Sequence, residues 1–361
     1  CPFSVNKNRN KLFSRAVLFL PRLINGLRIH GDEYLAKQRE RAVKNDLADP
    51  GSGIQLDFPA VIRDVSRCLL RISGLVMNKL LYTDAFSWQL MFDIRDDAGR
   101  LSHDYSLFRK IKPPAGCFWA DPFVVAGDGN YYVFVEEFIY RKNKAHIAVL
   151  ELDGNGTVVS HRPVIGKPYH MSYPFIFKYG GSYYMIPETA GNRTIELYRC
   201  IDFPDKWQFE KYIMKNVSAT DTTLFRHNDK WWLFTTLDQT GSVSGGSTEL
   251  FLFYSDDPLS DKWISHPLNP VVSDETSARC AGNLFLQDGE IYRPSQDCSM
   301  RYGRGLNINR VTLLDEKEYN EVLVEEIKPY WDKKLKGVHT LNFDKNFTII
   351  DTYKFHRRFS R

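Results

Sequence analysis

"FWADPFVVAGDGNYYVFVEEF" (Phe118–Phe138) holds two runs of aromatic and β-branched residues joined by the turn "GDGN". Such runs fit the pleated, half-buried surface of a strand, and Gly and Asp between them favour a tight hairpin. The chain repeats this unit. "SYPFIFKYGGSYYMIPET" starts at Ser172, "TDTTLFRHNDKWWLFTTL" at Thr220 and "CAGNLFLQDGEIYRPSQD" at Cys280. A weaker copy, "GVHTLNFDKNFTIIDTYK", starts at Gly337. The repeat distance is roughly 50 to 60 residues, the size of a propeller blade. Further strand pairs such as "AHIAVLELDGNGTVV" and "ELFLFYSDD" lie between the copies. Four strands per unit, five times over, predict an all-β fold, a five-bladed β-propeller over residues 101–361.

Residues 1–100 read as a helical N-terminal extension. "FPAVIRDVSRCLLRISGLVMNKLL" (Phe58–Leu81) spaces Val61, Val65, Leu69, Ile72, Val76 and Leu80 three or four apart, as an apolar helical stripe requires. Its polar face carries Arg63, Arg67, Arg71 and Lys79, so docking on the propeller and peripheral membrane contact are both open. No apolar run reaches the roughly 20 residues that cross a bilayer. The expected location is cytoplasmic, with membrane association as the alternative.

With 48 basic and 44 acidic side chains the net charge is +4, too mild and too scattered to indicate nucleic acid. The six cysteines are widely spaced and form no C-x-x-C pair. That argues against zinc and for a reducing compartment. The sequence has no G-x-G-x-x-G, Walker loop, H-E-x-x-H or D-x-D tripeptide, so no cofactor and no metal are expected.

In a propeller the first strand of each blade lines the central channel, and the second runs back antiparallel to the same rim. The strand starts carry Asp121, Tyr173, Asp221, Ala281 and His339, and the returning strands finish on Glu136 with Glu137, Glu188, Thr236, Gln296 with Asp297, and Thr352. One rim therefore collects several carboxylates with a His and amides. Each residue has an ordinary explanation. Asp121 before Pro122 would cap a turn, and Glu188 would pair with Arg193 across a loop. His170 would be a satisfied core histidine. Their convergence is what points to a site, because clustered carboxylates repel unless they are paired or used. Separated carboxylates beside aromatics suit glycosyl chemistry, in which one acid protonates the leaving oxygen and another acts as base or stabilises positive charge. Asp121, Glu188 and Asp221 are the candidate catalytic residues. Glu136, His170, Tyr173, Arg293, Gln296, Asp297 and His339 are the candidate substrate ligands. Arg293 is expected to neutralise two rim acids or to clamp an anion. The Gly/Ser-rich segment Leu237–Leu250 is expected to be a mobile loop over the rim.

"ADPF" with Glu136, "YHMSYPFIFKYGGSYYMIPET", "LYRCIDFPDKW", "LFYSDDPLSDKW" and "LFLQDGEIYRPSQDCSMRYG" resemble the N-terminal propeller domain of plant glucosamine inositolphosphorylceramide transferases and bacterial relatives. The resemblance covers Trp88 to Phe355. It implies a carbohydrate or glycolipid substrate and glycosyl transfer in surface glycan or glycolipid synthesis. In the plant enzymes a transferase domain follows the propeller, and that domain is expected to be absent here. "SVNKNRNKLFSRAVLFLPRLI" resembles the segment that follows a formyltransferase-like domain in bacterial relatives, which implies such a domain upstream. "ADPF" is also similar, more distantly, to five-bladed furanosidases such as arabinanases, where the first-blade Asp is the catalytic base. That role carries over to Asp121 alone, because Tyr173 stands where the second blade would supply an acid. A glycoside hydrolase and a non-catalytic glycan-binding module remain the alternatives.

Overall fold

The structure, a computed structural model, describes residues 19–24, 26–28, 31–36, 39–40, 82–95, 100–127, 129–238, 248–299 and 301–357. The amphipathic stretch at residues 58–81 and most of the segment expected to form a mobile loop (239–247) lie outside the described residues. Two compact units are formed, Cys1–Leu81 and Tyr82–Arg361. In the first, the described residues are helical.

The second unit is a five-bladed β-propeller of four-stranded antiparallel sheets. Blade 1 runs Cys117–Ala126, Asn130–Ile139, Lys144–Asp153 and Val158–Ile165. Blade 2 runs Ser172–Tyr179, Ser182–Thr189, Thr194–Asp202 and Lys206–Lys215, and blade 3 Ala219–His227, Lys230–Leu237, Leu250–Ser255 and Ile264–Ser265. Blade 4 runs Phe285–Gln287, Glu290–Asp297, Gly305–Leu314 and Tyr319–Ile327. Blade 5 is composite. Its inner strands are Gly337–Asp344 and Phe347–Arg357, and its outer strands are Tyr82–Ile94 and Arg109–Ile111. Leu90 pairs with Asp351 and Phe92 with Ile349, so an N-terminal strand closes the ring on C-terminal ones and leaves the sheet no open edge there.

Tyr82–Ile94 falls in the stretch that the sequence pattern assigned to helix. The pattern fails there because "FSWQLMF" is buried on both faces from Ser87 to Phe92, and a run buried on both faces carries no period-two alternation.

The blades hold together through their faces. Phe134 and Val149 of blade 1 pack with Met185 and Tyr198 of blade 2. Leu90, Phe92 and Phe347 of blade 5 pack with Val133 and Leu150 of blade 1. Met91 and Ile350 of blade 5 meet Leu306 and Ile308 of blade 4. Both faces of these strands are apolar because each blade is covered on both sides, and burying each such side chain contributes about 1.5–3 kcal/mol.

Candidate functional site

At the start of four of the five inner hairpins the ladder slips by one residue. The register jumps between Ala120 and Phe123, between Ser172 and Phe175, between Thr220 and Thr223, and between Val338 and Leu341. In three blades the bulged residue is left-handed: Asp121 at φ 50°, Tyr173 at 42° and Asp221 at 51°. That conformation is uncommon for any non-glycine residue and an outlier for tyrosine, so the surroundings must hold it. Blade 4 uses Gly282 at φ 135°, where an added Cβ would collide with the Leu341 carbonyl oxygen.

A bulge frees a backbone N–H from the ladder, and a buried N–H needs an acceptor. Side chains of the ring supply all of them. Asp121 N–H donates to Asp351 Oδ2 at 2.9 Å, and Tyr173 N–H to Asp121 Oδ2 at 3.2 Å. Asp221 N–H donates to Glu188 Oε2 at 3.3 Å, and Gly282 N–H to the Tyr173 hydroxyl at 2.8 Å. His339 and Thr340 N–H both donate to Asp351 Oδ1, at 3.1 and 2.9 Å. The carboxylates at the strand mouths thus link blade 5 to blade 1, blade 1 to blade 2 and blade 2 to blade 3, and the Tyr173 hydroxyl reaches across to blade 4.

Two cations balance this ring. His339, 1% exposed, is 3.2 Å from Asp121 Oδ1 through Nε2 and 2.8 Å from Asp351 Oδ2 through Nδ1. Burial disfavours its charge, but Asp351 and Asp121 outweigh that and lift its pKa to about 9. Arg279 donates from Nε to Asp221 Oδ2 at 2.5 Å, and its guanidinium reaches Glu188 Oε2 at 3.6 Å. Gln296 Nε2 donates to the same Asp221 oxygen at 2.7 Å. Tyr302 lies against the Arg279 guanidinium, 4.9 Å from the ring centre, and edge-on to His339 at 5.1 Å.

Burial pushes the Asp121 carboxyl up to about 7, against the pull of His339 and with help from Glu136, Asp221 and Asp351. Burial and the nearby Asp221 carry the Glu188 carboxyl well above the carboxylate range, in spite of Arg279. Glu136, itself buried, has His170 Nε2 3.2 Å away. His170 Nδ1 accepts the Ala145 N–H at 3.3 Å, so the proton that faces Glu136 sits on Nε2.

The structure therefore brings together Asp121, Glu136, His170, Tyr173, Glu188, Asp221, Gln296 and His339. Arg293 is elsewhere. It is fully buried in blade 4, gripping Glu321 at 2.6 and 2.8 Å and the Ser277 carbonyl at 2.6 Å. It neither neutralises the ring acids nor clamps an anion at the rim; Arg279 is the arginine of the ring. Asp297 is tied to Arg304 at 2.9 Å and to Ser299. In blade 4 it is Gly282, not Ala281, whose N–H reaches the ring, while the Ala281 N–H bonds the Pro294 carbonyl. Glu188 engages Arg279 and the Asp221 amide, whereas Arg193 reaches the Asn216 carbonyl.

Sequence reasoning missed Arg279, Asp351, Thr340 and Tyr302. Thr340 Oγ1 donates to Asp121 Oδ1 at 2.8 Å. The signal for Asp351 was present, an acid inside the apolar run "TIID". Arg279 precedes its repeat unit and carried none. Asp121, His339 and Asp351 also stand close enough together to hold a metal ion; in this structure the two imidazole nitrogens lie within ion-pair distance of the two carboxyls, although Nδ1 makes no hydrogen bond.

Protonation here has a predicted effect on stability. His339 binds its proton more tightly folded than unfolded, so its contribution is complete below about pH 6.5 and is lost as pH rises through about 9. Asp121, raised to about 7, acts in the same direction at lower pH. The melting temperature should fall from pH 6.5 to 10, with His339 accounting for up to about 3 kcal/mol. His339→Gln should start lower and vary less over that range. Parallel pH profiles for the two proteins would remove His339 as the titrating group.

Comparison with known proteins gives a family match for the propeller. The sequence profile described as "Glucosamine inositolphosphorylceramide transferase 1, N-terminal" matches residues 110–352. Glucosamine inositolphosphorylceramide transferase 1 of Arabidopsis thaliana is 34% identical over 210 residues, 57% of this chain and 27% of that protein. The protein of the same name from Oryza sativa subsp. japonica is 35% identical over 57% of this chain and 28% of its own length. The chain thus spans about a quarter of the length of these plant relatives. Among solved structures, a family 117 glycoside hydrolase of Zobellia galactanivorans superposes with a TM-score of 0.47 at 11% identity, over 74% of this chain and 91% of that one. The catalytic domain of a Coprinopsis cinerea GH62 α-L-arabinofuranosidase gives 0.49 at 11%, over 73% and 97%. Likenesses this remote carry nothing about chemistry.

Proposed function

The chain belongs to the family of glucosamine inositolphosphorylceramide transferase N-terminal domains, and from that premise we propose that its propeller serves glycosyl transfer in glycolipid synthesis, with the sugar bound at the carboxylate rim. The observation that carries this reading is the pair of acids on adjacent blades, Asp121 and Glu188, whose carboxyls are both raised by burial within one hydrogen-bonded ring. A carboxyl held protonated near neutral pH delivers a proton to a leaving oxygen, and one poised near 7 accepts a proton from an attacking hydroxyl. In this reading Glu188 is the acid and Asp121 the base or charge stabiliser. Asp221 is a positioning residue, since Arg279 and Gln296 fix it and it is 1% exposed. Glu136 and His170 bind sugar hydroxyls. The relatives' name supplies the acceptor class, an inositolphosphorylceramide lipid. A cytoplasmic, membrane-surface location and an upstream formyltransferase-like domain belong to the same proposal and rest on the sequence. Among the described residues no helix is long and apolar enough to cross a membrane.

One observation favours a second reading, a glycan-binding module without turnover. Both oxygens of Asp121 are engaged, by Tyr173 N–H on one side and by Thr340 and His339 on the other, which limits its freedom to act as a base. The test offers the purified chain sugar nucleotides with glycolipid acceptors in one arm and oligosaccharides in another. Released nucleotide with a glycosylated lipid supports transfer, and free sugar supports hydrolysis. Silence in both arms with retention on a glycan array establishes the module.

A further inference from the structure

Two connections at the active rim are rich in cations. The segment 298–304 joins the second and third strands of blade 4, and 328–336 leads from the last strand of blade 4 into the first strand of blade 5. Because inner strands start at the rim that holds Asp121 and His339, both connections lie at that end. Between them is a cavity of ≈ 420 Å³ lined by Arg301, Arg304, Lys328, Lys333 and Lys336, with Tyr330 and Asp332.

Some of this charge is already matched. Arg304 pairs with Asp297 at 2.9 Å and Lys328 with Glu326 at 2.6 Å. Asp332, the one acid in the lining, is held by Lys110 at 3.0 Å and by the Lys334 amide at 2.9 Å. Arg301, Lys333 and Lys336 are different. Arg301 donates to the Lys336 carbonyl oxygen, and Lys336 Nζ to the Lys333 carbonyl oxygen at 3.3 Å. Among the described residues none of the three has an ion-pair partner within 4.0 Å. Three unmatched cations around one cavity repel one another, and a bound anion would remove that repulsion. Tyr330, which also lines the cavity, stands 82% exposed.

We propose that this cleft is a phosphate-ester site, held by Arg301, Lys333 and Lys336. The planar Arg301 fork suits two phosphate oxygens at once, and the lysines add point charges around the third. Tyr302, next to Arg301 in the chain, turns instead to Arg279 and His339. The loop that carries Arg301 into the cleft thus also places a ring against the His339 and Arg279 side of the carboxylate cluster. The site is defined by its own residues and does not depend on whether the ring catalyses transfer.

The ester could sit in a soluble phosphate or in a lipid headgroup, and two arms separate these. In the first, inorganic phosphate and glycerol 3-phosphate are titrated into the full chain at low salt, with melting temperature as readout. In the second, the chain is sedimented with vesicles of phosphatidylinositol in phosphatidylcholine. The triple variant Arg301→Gln, Lys333→Gln, Lys336→Gln is expected to weaken either response about tenfold or more. Lys206→Gln, an exposed cation on blade 2, serves as control and should change neither. Response in the first arm assigns a soluble ester, and response in the vesicle arm alone assigns a headgroup; both support the site. No response in either arm, or equal responses in wild type and triple variant, overturns it. Should the triple variant fail to fold, Lys333→Gln alone carries the comparison.

Discussion

Arg279→Met is expected to destabilise the propeller by about 3–5 kcal/mol. Its guanidinium bonds Asp221, faces Glu188 at 3.6 Å and is largely buried with both. Without it two buried carboxyls face each other with no compensating cation, and the Asp221 amide depends on one of them. The loss should appear as a lower denaturation midpoint with an unchanged m-value, since the surface exposed on unfolding stays the same. Arg279→Lys should recover only part, because an ammonium cannot reproduce the two-nitrogen contact with Asp221. Adding Asp221→Asn to Arg279→Met should also restore part of the loss, as contacting residues couple in a double-mutant cycle. A cost below about 1 kcal/mol would mean that water already screens these acids, and the ring would then not be a buried electrostatic unit.

Asp121→Asn is expected to reduce turnover about a hundredfold or more, in whichever reaction the chain performs. It should also cost stability, about 1–3 kcal/mol. Both Asp121 oxygens accept, one from Tyr173 N–H and the other from the Thr340 hydroxyl, with His339 Nε2 at ion-pair distance from the latter. An asparagine must therefore turn its NH2 toward a donor on one side or the other. Tyr173→Phe is the control that separates the two effects. It removes the hydroxyl that accepts the Gly282 N–H and so damages the ring without touching an acid. Well below both melting temperatures, Tyr173→Phe should keep most of its turnover and Asp121→Asn should not. Glu188→Gln should lose as much as Asp121→Asn, since an amide keeps the size but delivers no proton. Equal losses in Tyr173→Phe and Asp121→Asn would show that the rim acids serve the fold alone.

The rim was legible to the extent that it follows the repeat. Asp121, Tyr173 and Asp221 stand at one position of three successive copies, and that position became one bulge in three blades. Errors of one residue arose where the bulge breaks the strand's alternation. In a regular strand side chains change face at every step, and one extra residue shifts the phase of all that follow. Thr352 was read at the rim where Asp351 reaches it, and Ala281 where Gly282 does. Arg293 was read as a rim cation from its alternation with Asp297, but its long side chain turns into blade 4 toward Glu321, a contact across 28 positions. No local pattern records which of two arginines fourteen positions apart finds the acid.

By itself the sequence determined the blade, its hairpins and the residues at each strand mouth, because these rest on local periodicity and turn chemistry. Tertiary structure decided the rest. Closure of blade 5 by Tyr82–Ile94 joins residues more than 250 positions apart, and a strand's own pattern does not name its partner. The ring's charge state was decided in the same way. Asp121, Glu188 and His339 are ordinary titrating groups in the chain, and their pKa values move only when folding removes water and sets them within 4 Å of their partners.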